Sequence, residues 1–394
     1  MTVLADDWTA RARQLADQLA AAGKLTSPAW REAVCAVPRH EFVPDVFRRS
    51  PDGTWQRLDT VTVRGRRQWL DQVYSNTALL TALAETPAST TLRSSSSMPG
   101  LMTRMLEALD VHDGHRVLEI GTGTGYNAAL LCHRLGDANV FSVDIEADLV
   151  GTARQRLARL GYHPTLVAAD GAAGLPDHAP FDRIVATCAV PAVPWVWVTQ
   201  TRPEGIILTD LKPAQDAGSL VRLTRYPDRA EGRFNSTYAS FMALRHQPAE
   251  QAPHREQSRE DRTREPEYRT TTLHPRTPWD SLVVWFLASF DLGAEVSLGY
   301  CRPDVTWKPT ATSITVGDGS WAEITLADDH GVRQVAEGGP RRVWRIVEDA
   351  HATWEMLGRP GWDRFGLTVT EKDQRVWLDA PTSDHTWRLA SAAA

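Results

Sequence analysis

The stretch VLEIGTGTGYNAALL, residues 117–131, constrains the fold of this chain more than any other. An apolar run of strand length meets glycines at 121, 123 and 125, and a helical apolar pattern follows at once. Glycines at such a junction let the backbone turn sharply and let a ligand approach the main chain without meeting Cβ atoms. The same alternation continues downstream. NVFSVDI reads as a strand, LVGTARQRLARLGY as a helix, and PTLVAAD, FDRIVATCA and EGIILTDL as further strands. Strands alternating with helices at this spacing predict βαβ units in an α/β fold, with a parallel sheet covered on both faces. The pattern places the end of that sheet near YASFMALR, residues 238–245.

The residues around the glycine turn select the ligand. A dinucleotide-binding fingerprint asks for a small residue three places after Gly123, and Tyr126 stands there. Glu119, just before the turn, puts negative charge where a pyrophosphate would sit, whereas a cationic ligand is compatible with it. S-adenosylmethionine, with its sulfonium and ammonium groups, matches this charge better than a nicotinamide dinucleotide. Asp144 closes the second strand, where a carboxylate accepts both ribose hydroxyls, and Asp170 with Gly171 follows the third, beside the adenine. The expected cofactor set is therefore Glu119, Gly121, Thr122, Gly123, Gly125, Tyr126, Asp144, Ile145, Asp170 and Gly171. The plain structural alternative is that Asp144 and Asp170 only cap helices.

Charge and composition narrow the partners. A net charge of -6 and a pI near 6.1 argue against a general nucleic-acid binder. No stretch reaches the roughly 18 consecutive apolar residues of a membrane span, and the acidic N-terminus does not read as a secretory signal, so a cytoplasmic location is expected. Cys35, Cys132, Cys188 and Cys301 are scattered without zinc-like pairing, and no metal site is expected. Trp8 to Ala22 follows a helical period closed by Gly23, and Ser27-Pro28 opens a second helix. Residues 1–245 then form one domain with N-terminal helices. Residues 246–276, charged and almost without large apolar side chains, read as a solvated linker. Residues 277–394 hold nine of the fifteen tryptophans and read as a separate α+β accessory module with a substrate-recognition role. Two hairpins, one turning at Asp318-Gly319, and a helix closed by Gly358 compose it.

At this point a family resemblance can be stated. VPRHEFVP (37–44), SMPGLMTRMLEAL (97–109), VLEIGTGTGYNAALL (117–131), SVDIEADLVGTARQRLARLGY (142–162) and VAADGAAGLPDHAPFDRIVATCAVPAVP (167–194) resemble the protein-L-isoaspartate O-methyltransferases. The likeness covers roughly residues 30–245. It implies a Rossmann-like seven-stranded methyltransferase sheet, S-adenosylmethionine as methyl donor, a peptide carboxylate as acceptor, and Ser97 at the reaction centre.

The chemistry gives the serines of SSSSMPG, residues 94–100, a purpose. A carboxylate is ionised at neutral pH, its free pKa being about 4, so methylation needs no general base. It needs alignment with the sulfonium methyl, and a partner that holds one oxygen while leaving the other nucleophilic. A serine hydroxyl does this; a lysine or arginine would quench the nucleophile. Ser97, supported by Ser96 and Ser95, is the expected substrate-positioning group, with a flexible spacer ending in a helix N-cap at Ser97 as the alternative. Arg39 and His40 read as structural, and Trp195 and Trp197 as either core or cleft lining. Relative to the family pattern, Ser95 and Ser96 replace a threonine and an aliphatic residue, Asn76 stands where an acid is common, and RRSPDGTWQRLDTVTVRGRRQW is extra. These departures resemble a divergent branch serving ribosomal peptide biosynthesis, of the lanthipeptide and graspetide kind. The leading expectation is methylation of an aspartate in a cyclised precursor peptide, the ester then collapsing to aspartimide. Isoaspartyl repair of damaged proteins is the alternative, and a non-catalytic peptide binder on this scaffold the third.

Overall fold

The structure is a computed structural model and describes residues 5–50, 54–85, 90–247, 266–301 and 308–389. The chain opens with helices α1 (Ala5–Ala21), α2 (Pro28–Ala36) and α3 (Arg39–Phe42). Strands β1 (Phe47–Arg49) and β2 (Trp55–Arg57), helix α4 (Val63–Val73), and strands β3 (Leu79–Glu85) and β4 (Thr90–Ser96) follow. These strands make a small antiparallel sheet in the order β2-β1-β3-β4, so the segment that looked extra to the family pattern supplies half of a sheet ending on the serines.

The main sheet starts after helix α5 (Pro99–Leu109). It is built from β5 (Val117–Ile120), α6 (Tyr126–Leu135), β6 (Val140–Asp144), α7 (Ala147–Arg159), β7 (Thr165–Ala168), β8 (Phe181–Val190), α8 (Trp195–Gln200), β9 (Thr201–Ala214), β10 (Ala217–Arg225) and β11 (Ala230–Phe234). The pairs β7-β6, β6-β5, β5-β8 and β8-β9 are parallel; β9-β10 and β10-β11 are antiparallel. Alternation along each strand sends side chains to opposite faces. Leu118 and Ile120 therefore join one apolar core, while Val117 joins the other, beneath α1, α2, α5 and α6.

The C-terminal stretch contains β12 (Glu267–Thr271), α9 (Thr277–Asp280), α10 (Leu282–Leu292), β13 (Val296–Cys301), β14 (Ala311–Val316), β15 (Trp321–Thr325) and β16 (Arg333–Gly338). It ends with α11 (Val343–Met356), β17 (Phe365–Val369), β18 (Gln374–Leu378) and β19 (Thr386–Arg388). Strands β12 to β16 form a five-stranded antiparallel sheet. Strands β17, β18 and β19 instead continue the main sheet beyond β11, in the order β19-β18-β17-β11, and bring it to ten strands.

Four expectations change here. The sheet has ten strands: seven from β5 to β11, and three added by the C-terminal stretch. The stretch after residue 277 is not self-contained. Helix α10, apolar on all sides, lies in one core with Leu211, Val221 and Leu223, and so covers a sheet face that would otherwise meet water. The linker expected over 246–276 ends earlier, because Glu267–Thr271 pairs with β16; residues 248–265 lie outside the described residues. YASFMALR is also not a strand. It runs as irregular chain whose backbone joins the sheet ladder at a parallel bridge, Ala189 to Ala243. Among the described residues no helix is long and apolar enough to cross a membrane.

Candidate active site

A cleft of about 660 Å³ opens at the C-terminal ends of β5, β6 and β8. Its size falls within the range of small-molecule sites, roughly 300–1,000 Å³. Residues 119–124, 126–127, 143–145, 171 and 187–188 form its floor, the serine strand one wall, and residues 237–245 another.

The glycine turn explains the floor. Gly121 and Gly125 have φ of +98° and +88°, a region that side chains rarely adopt. A Cβ on Gly121 would stand 2.7 Å from Thr187 Oγ1, and one on Gly125 3.0 Å from the Ala153 Cβ. The loop therefore presents bare backbone to the cleft. Asp144 holds it: its carboxylate accepts the Gly123 N–H at 2.9 Å and the Glu146 N–H at 3.1 Å.

Glu119 is fully buried on the floor. Asn127 Nδ2 donates to one of its oxygens at 2.7 Å and Ser142 Oγ to the other at 2.6 Å. Burial pushes its pKa up to about 7, against the pull of those two hydrogen bonds. Asn127 Oδ1 is buried and has no hydrogen-bond partner, although Asn127 lines the cleft. A buried acceptor left unpaired beside a carboxylate whose pKa burial raises to about 7 matches a ligand that brings a cationic donor group. The residues present therefore fit the ammonium end of S-adenosylmethionine.

A pH prediction follows from Glu119. Its native pKa lies above the usual 4.5, so the unfolded chain sheds this proton first and stability falls as pH rises from about 4.5 to about 7. A cation favours the ionised carboxylate, so donor binding strengthens over the same interval and releases protons near pH 7. Calorimetric titration of S-adenosylhomocysteine in buffers of differing ionisation heat is expected to show that release, and Glu119→Gln to abolish it.

The structure brings most of the expected cofactor residues to the cleft. Glu119, Gly121, Thr122, Gly123, Tyr126, Asp144, Ile145 and Gly171 line it. Gly125 sits just behind, as the turn before α6. Asp170 does not line it: its carboxylate accepts the Ala172 N–H at 2.8 Å, capping a short turn, and its other oxygen lies 3.0 Å from His246 Nδ1. The capping alternative thus describes Asp170 but not Asp144. Trp197 is fully buried, and its indole N–H supports the Gly171 carbonyl at 2.9 Å, so core packing is its role.

The serines are neither spacer nor cap. Ser94, Ser95 and Ser96 belong to β4, paired with β3 on one side. A Cβ on Gly123 would lie 3.9 Å from both Ser94 Oγ and the Ser95 carbonyl, so the strand runs beside the glycine loop. The N-cap of α5 is Met98, and the Gly100 N–H is taken by Asn76 Oδ1 at 2.7 Å. This leaves the Ser97 hydroxyl free of that duty, within the cleft wall.

Two supporting groups hold these walls from outside the expected site set. Arg39, fully buried, donates to the Val73 carbonyl at 2.6 Å, the Ser75 carbonyl at 3.3 Å, Ser96 Oγ at 3.2 Å and the Ser97 carbonyl at 3.1 Å. It thereby fixes the serine strand from behind. Over the cleft, Glu146 accepts from Arg93 and from Arg245, each at 2.6 Å, joining β4, the start of α7 and the 237–245 segment. That segment is pinned at its other end. Asp210 accepts the Phe241 N–H at 2.9 Å, and Lys212 donates to the Ala239 carbonyl at 2.7 Å.

Comparison with known proteins agrees with this geometry. The family described as Protein-L-isoaspartate(D-aspartate) O-methyltransferase (PCMT) matches residues 56–240. The Protein-L-isoaspartate O-methyltransferase of Paramagnetospirillum magneticum is 41% identical over 40% of this chain and 69% of its own length. That of Methylorubrum extorquens is 34% identical over 58% of this chain and 83% of its own length. A solved protein-L-isoaspartate O-methyltransferase structure superposes with a TM-score of 0.53 at 21% identity, covering 94% of this chain and 100% of that one, which speaks for the fold. The chain belongs to the protein-L-isoaspartate O-methyltransferase family, the S-adenosylmethionine-dependent protein carboxyl O-methyltransferases.

Proposed function

We propose that this protein methylates a carboxylate carried on a peptide, with an isoaspartyl residue as the acceptor. The observation that carries this reading is the serine strand lying beside the glycine loop, with Ser95, Ser96 and Ser97 in the wall of the cleft. S-adenosylmethionine supplies an electrophilic methyl group there. Asp144 and the glycine loop would hold the donor's ribose, Ile145 and Gly171 its base, and Glu119 with Asn127 its ammonium. Ser97 donates one hydrogen bond to the acceptor carboxylate and leaves the second oxygen free to attack. Ser96, itself a hydrogen-bond acceptor from Arg39, holds the strand in register. No proton has to be removed from the acceptor, so a neutral hydroxyl suffices where a base would serve no purpose.

Ser97→Ala is expected to lower kcat/KM about tenfold or more, as for a lost hydrogen bond to a charged group, with the affinity for S-adenosylhomocysteine unchanged. Steady-state kinetics beside calorimetry separates the two quantities.

A second reading is an aspartate of one dedicated ribosomal precursor peptide, of lanthipeptide or graspetide type. Its methyl ester would lose methanol to the following backbone nitrogen and close to aspartimide. One observation favours it: the C-terminal stretch reaches the cleft segment, Tyr238 resting 6.5 Å from the Trp362 ring. A substrate gripped by that stretch would thus be felt at the cleft wall. Labelled donor with an isoaspartyl test peptide decides between the two. Sequence-tolerant turnover supports the first reading; turnover confined to one cyclised aspartyl peptide supports the second. Neither outcome, with no donor bound, would point to a peptide-binding protein without catalysis.

A further inference from the structure

The charges lining the cleft are nearly all accounted for. Arg93 pairs with Glu146 and Asp148 and Arg245 with Glu146, Asp144 holds backbone N–H groups, and Glu119 is held by Asn127 and Ser142. Arg104, on α5, is different. It lines the cleft half-buried, and its one hydrogen bond runs from Nη2 to the Tyr238 carbonyl at 3.1 Å. Its Nε is buried without a partner, and among the described residues no carboxylate pairs with it. Burial is the one influence on its charge, and it disfavours the cation. Lys24 also lines the cleft, lying against Gly100 at the start of the same helix. Its ammonium is a point charge on a flexible stem, whereas the half-buried Arg104 guanidinium is planar and presents a fork of donors.

A part-buried guanidinium with unused donors is costly unless an anion meets it, and the matching partner for its fork is a carboxylate. Its bond to the Tyr238 carbonyl places the Arg104 guanidinium at the 237–245 wall of the cleft. Yet the carboxylate that reacts is poorly served by an arginine, which would withdraw the electron pair that attacks the methyl group. We infer that Arg104 binds a spectator carboxylate, one present in the bound reactants but not methylated. The reactants offer two: the amino-acid carboxylate of the methyl donor, and an acidic side chain flanking the acceptor in the peptide. This deepens the proposed function and rests on it only for the second source.

The test uses the full chain, Arg104→Gln and Arg104→Lys, with S-adenosylhomocysteine and its decarboxylated analogue as calorimetric probes. In parallel it uses isoaspartyl peptides with an acidic or a neutral neighbour. If the donor supplies the carboxylate, Arg104→Gln weakens S-adenosylhomocysteine about tenfold or more and leaves the decarboxylated analogue unaffected. If the peptide supplies it, donor affinity is unchanged, and KM rises for the acidic-neighbour peptide alone. In either case Arg104→Lys restores part of the loss. Equal losses on ligands with and without the carboxylate, or no loss in either arm, would overturn the inference. A wild-type chain that methylates no peptide counts against the proposed function, and the donor arm then decides the role of Arg104 alone.

Discussion

Replacing Arg39 by methionine is expected to destabilise the fold by about 3 kcal/mol or more and to remove most methyl transfer. The guanidinium is fully buried and serves three carbonyls and the Ser96 hydroxyl. Methionine fills much of the volume but leaves those acceptors without donors, each costing about 1–3 kcal/mol. Among the described residues no carboxylate accompanies the cation; the Tyr126 ring, 5.7 Å from the guanidinium carbon, gives it electrostatic support. Burial accordingly lowers its pKa to about 10, which still leaves it charged at neutral pH. Chemical denaturation measures the stability loss. The catalytic loss separates from it in Arg39→Lys, which keeps the charge but cannot span both Val73 and Ser97. That variant is expected to fold with a smaller penalty and to show reduced kcat, because the serine strand is no longer held at both points. A lysine variant as active as the wild type would remove Arg39 from the set of positioning residues.

Asp144→Ala is expected to weaken donor binding about 100-fold, equivalent to about 2.7 kcal/mol. Two losses combine. The carboxylate fixes the glycine loop through Gly123 and the start of α7 through Glu146, and it is the acid at the strand end facing the cleft. Without it, the loop must be ordered by the ligand itself, and the ribose hydroxyls lose their acceptor. Calorimetry with S-adenosylhomocysteine reads the change. Thermal stability is expected to move little, since Asp144 borders the cleft and does not fill the core. An affinity within threefold of the wild type would mean that the ribose is held elsewhere.

Much of the donor half of the site is legible in residues close along the chain. Gly121, Gly123 and Gly125 need positive φ for reasons of local sterics, and Asp144 stands at the end of the next strand in the same βαβ unit. The pairing order of β7, β6, β5, β8 and β9 likewise follows from short crossovers between parallel strands. The proposed acceptor half is not local. Ser94 and Gly123 meet across 29 positions of chain, and Arg39 meets Ser96 across 57. Nothing in the composition of four serines distinguishes an edge strand from a linker; pairing with β3 makes it a strand.

The same division explains the C-terminal stretch. Its hairpins and its long helix are written in turn residues and apolar period, and each forms where the pattern places it. Where β17 docks is written in no local signal. The exposed edge of β11 needed a partner for its backbone groups, and the apolar face of β9 and β10 needed α10 over it. Glycines, alternation and the acid ending β6 thus announce the donor cleft in advance, because their causes act over a few residues. Burial of Arg39, the unpaired state of Arg104 and the growth of the sheet to ten strands depend on which distant surfaces exclude water from one another, and that is settled when the whole chain packs.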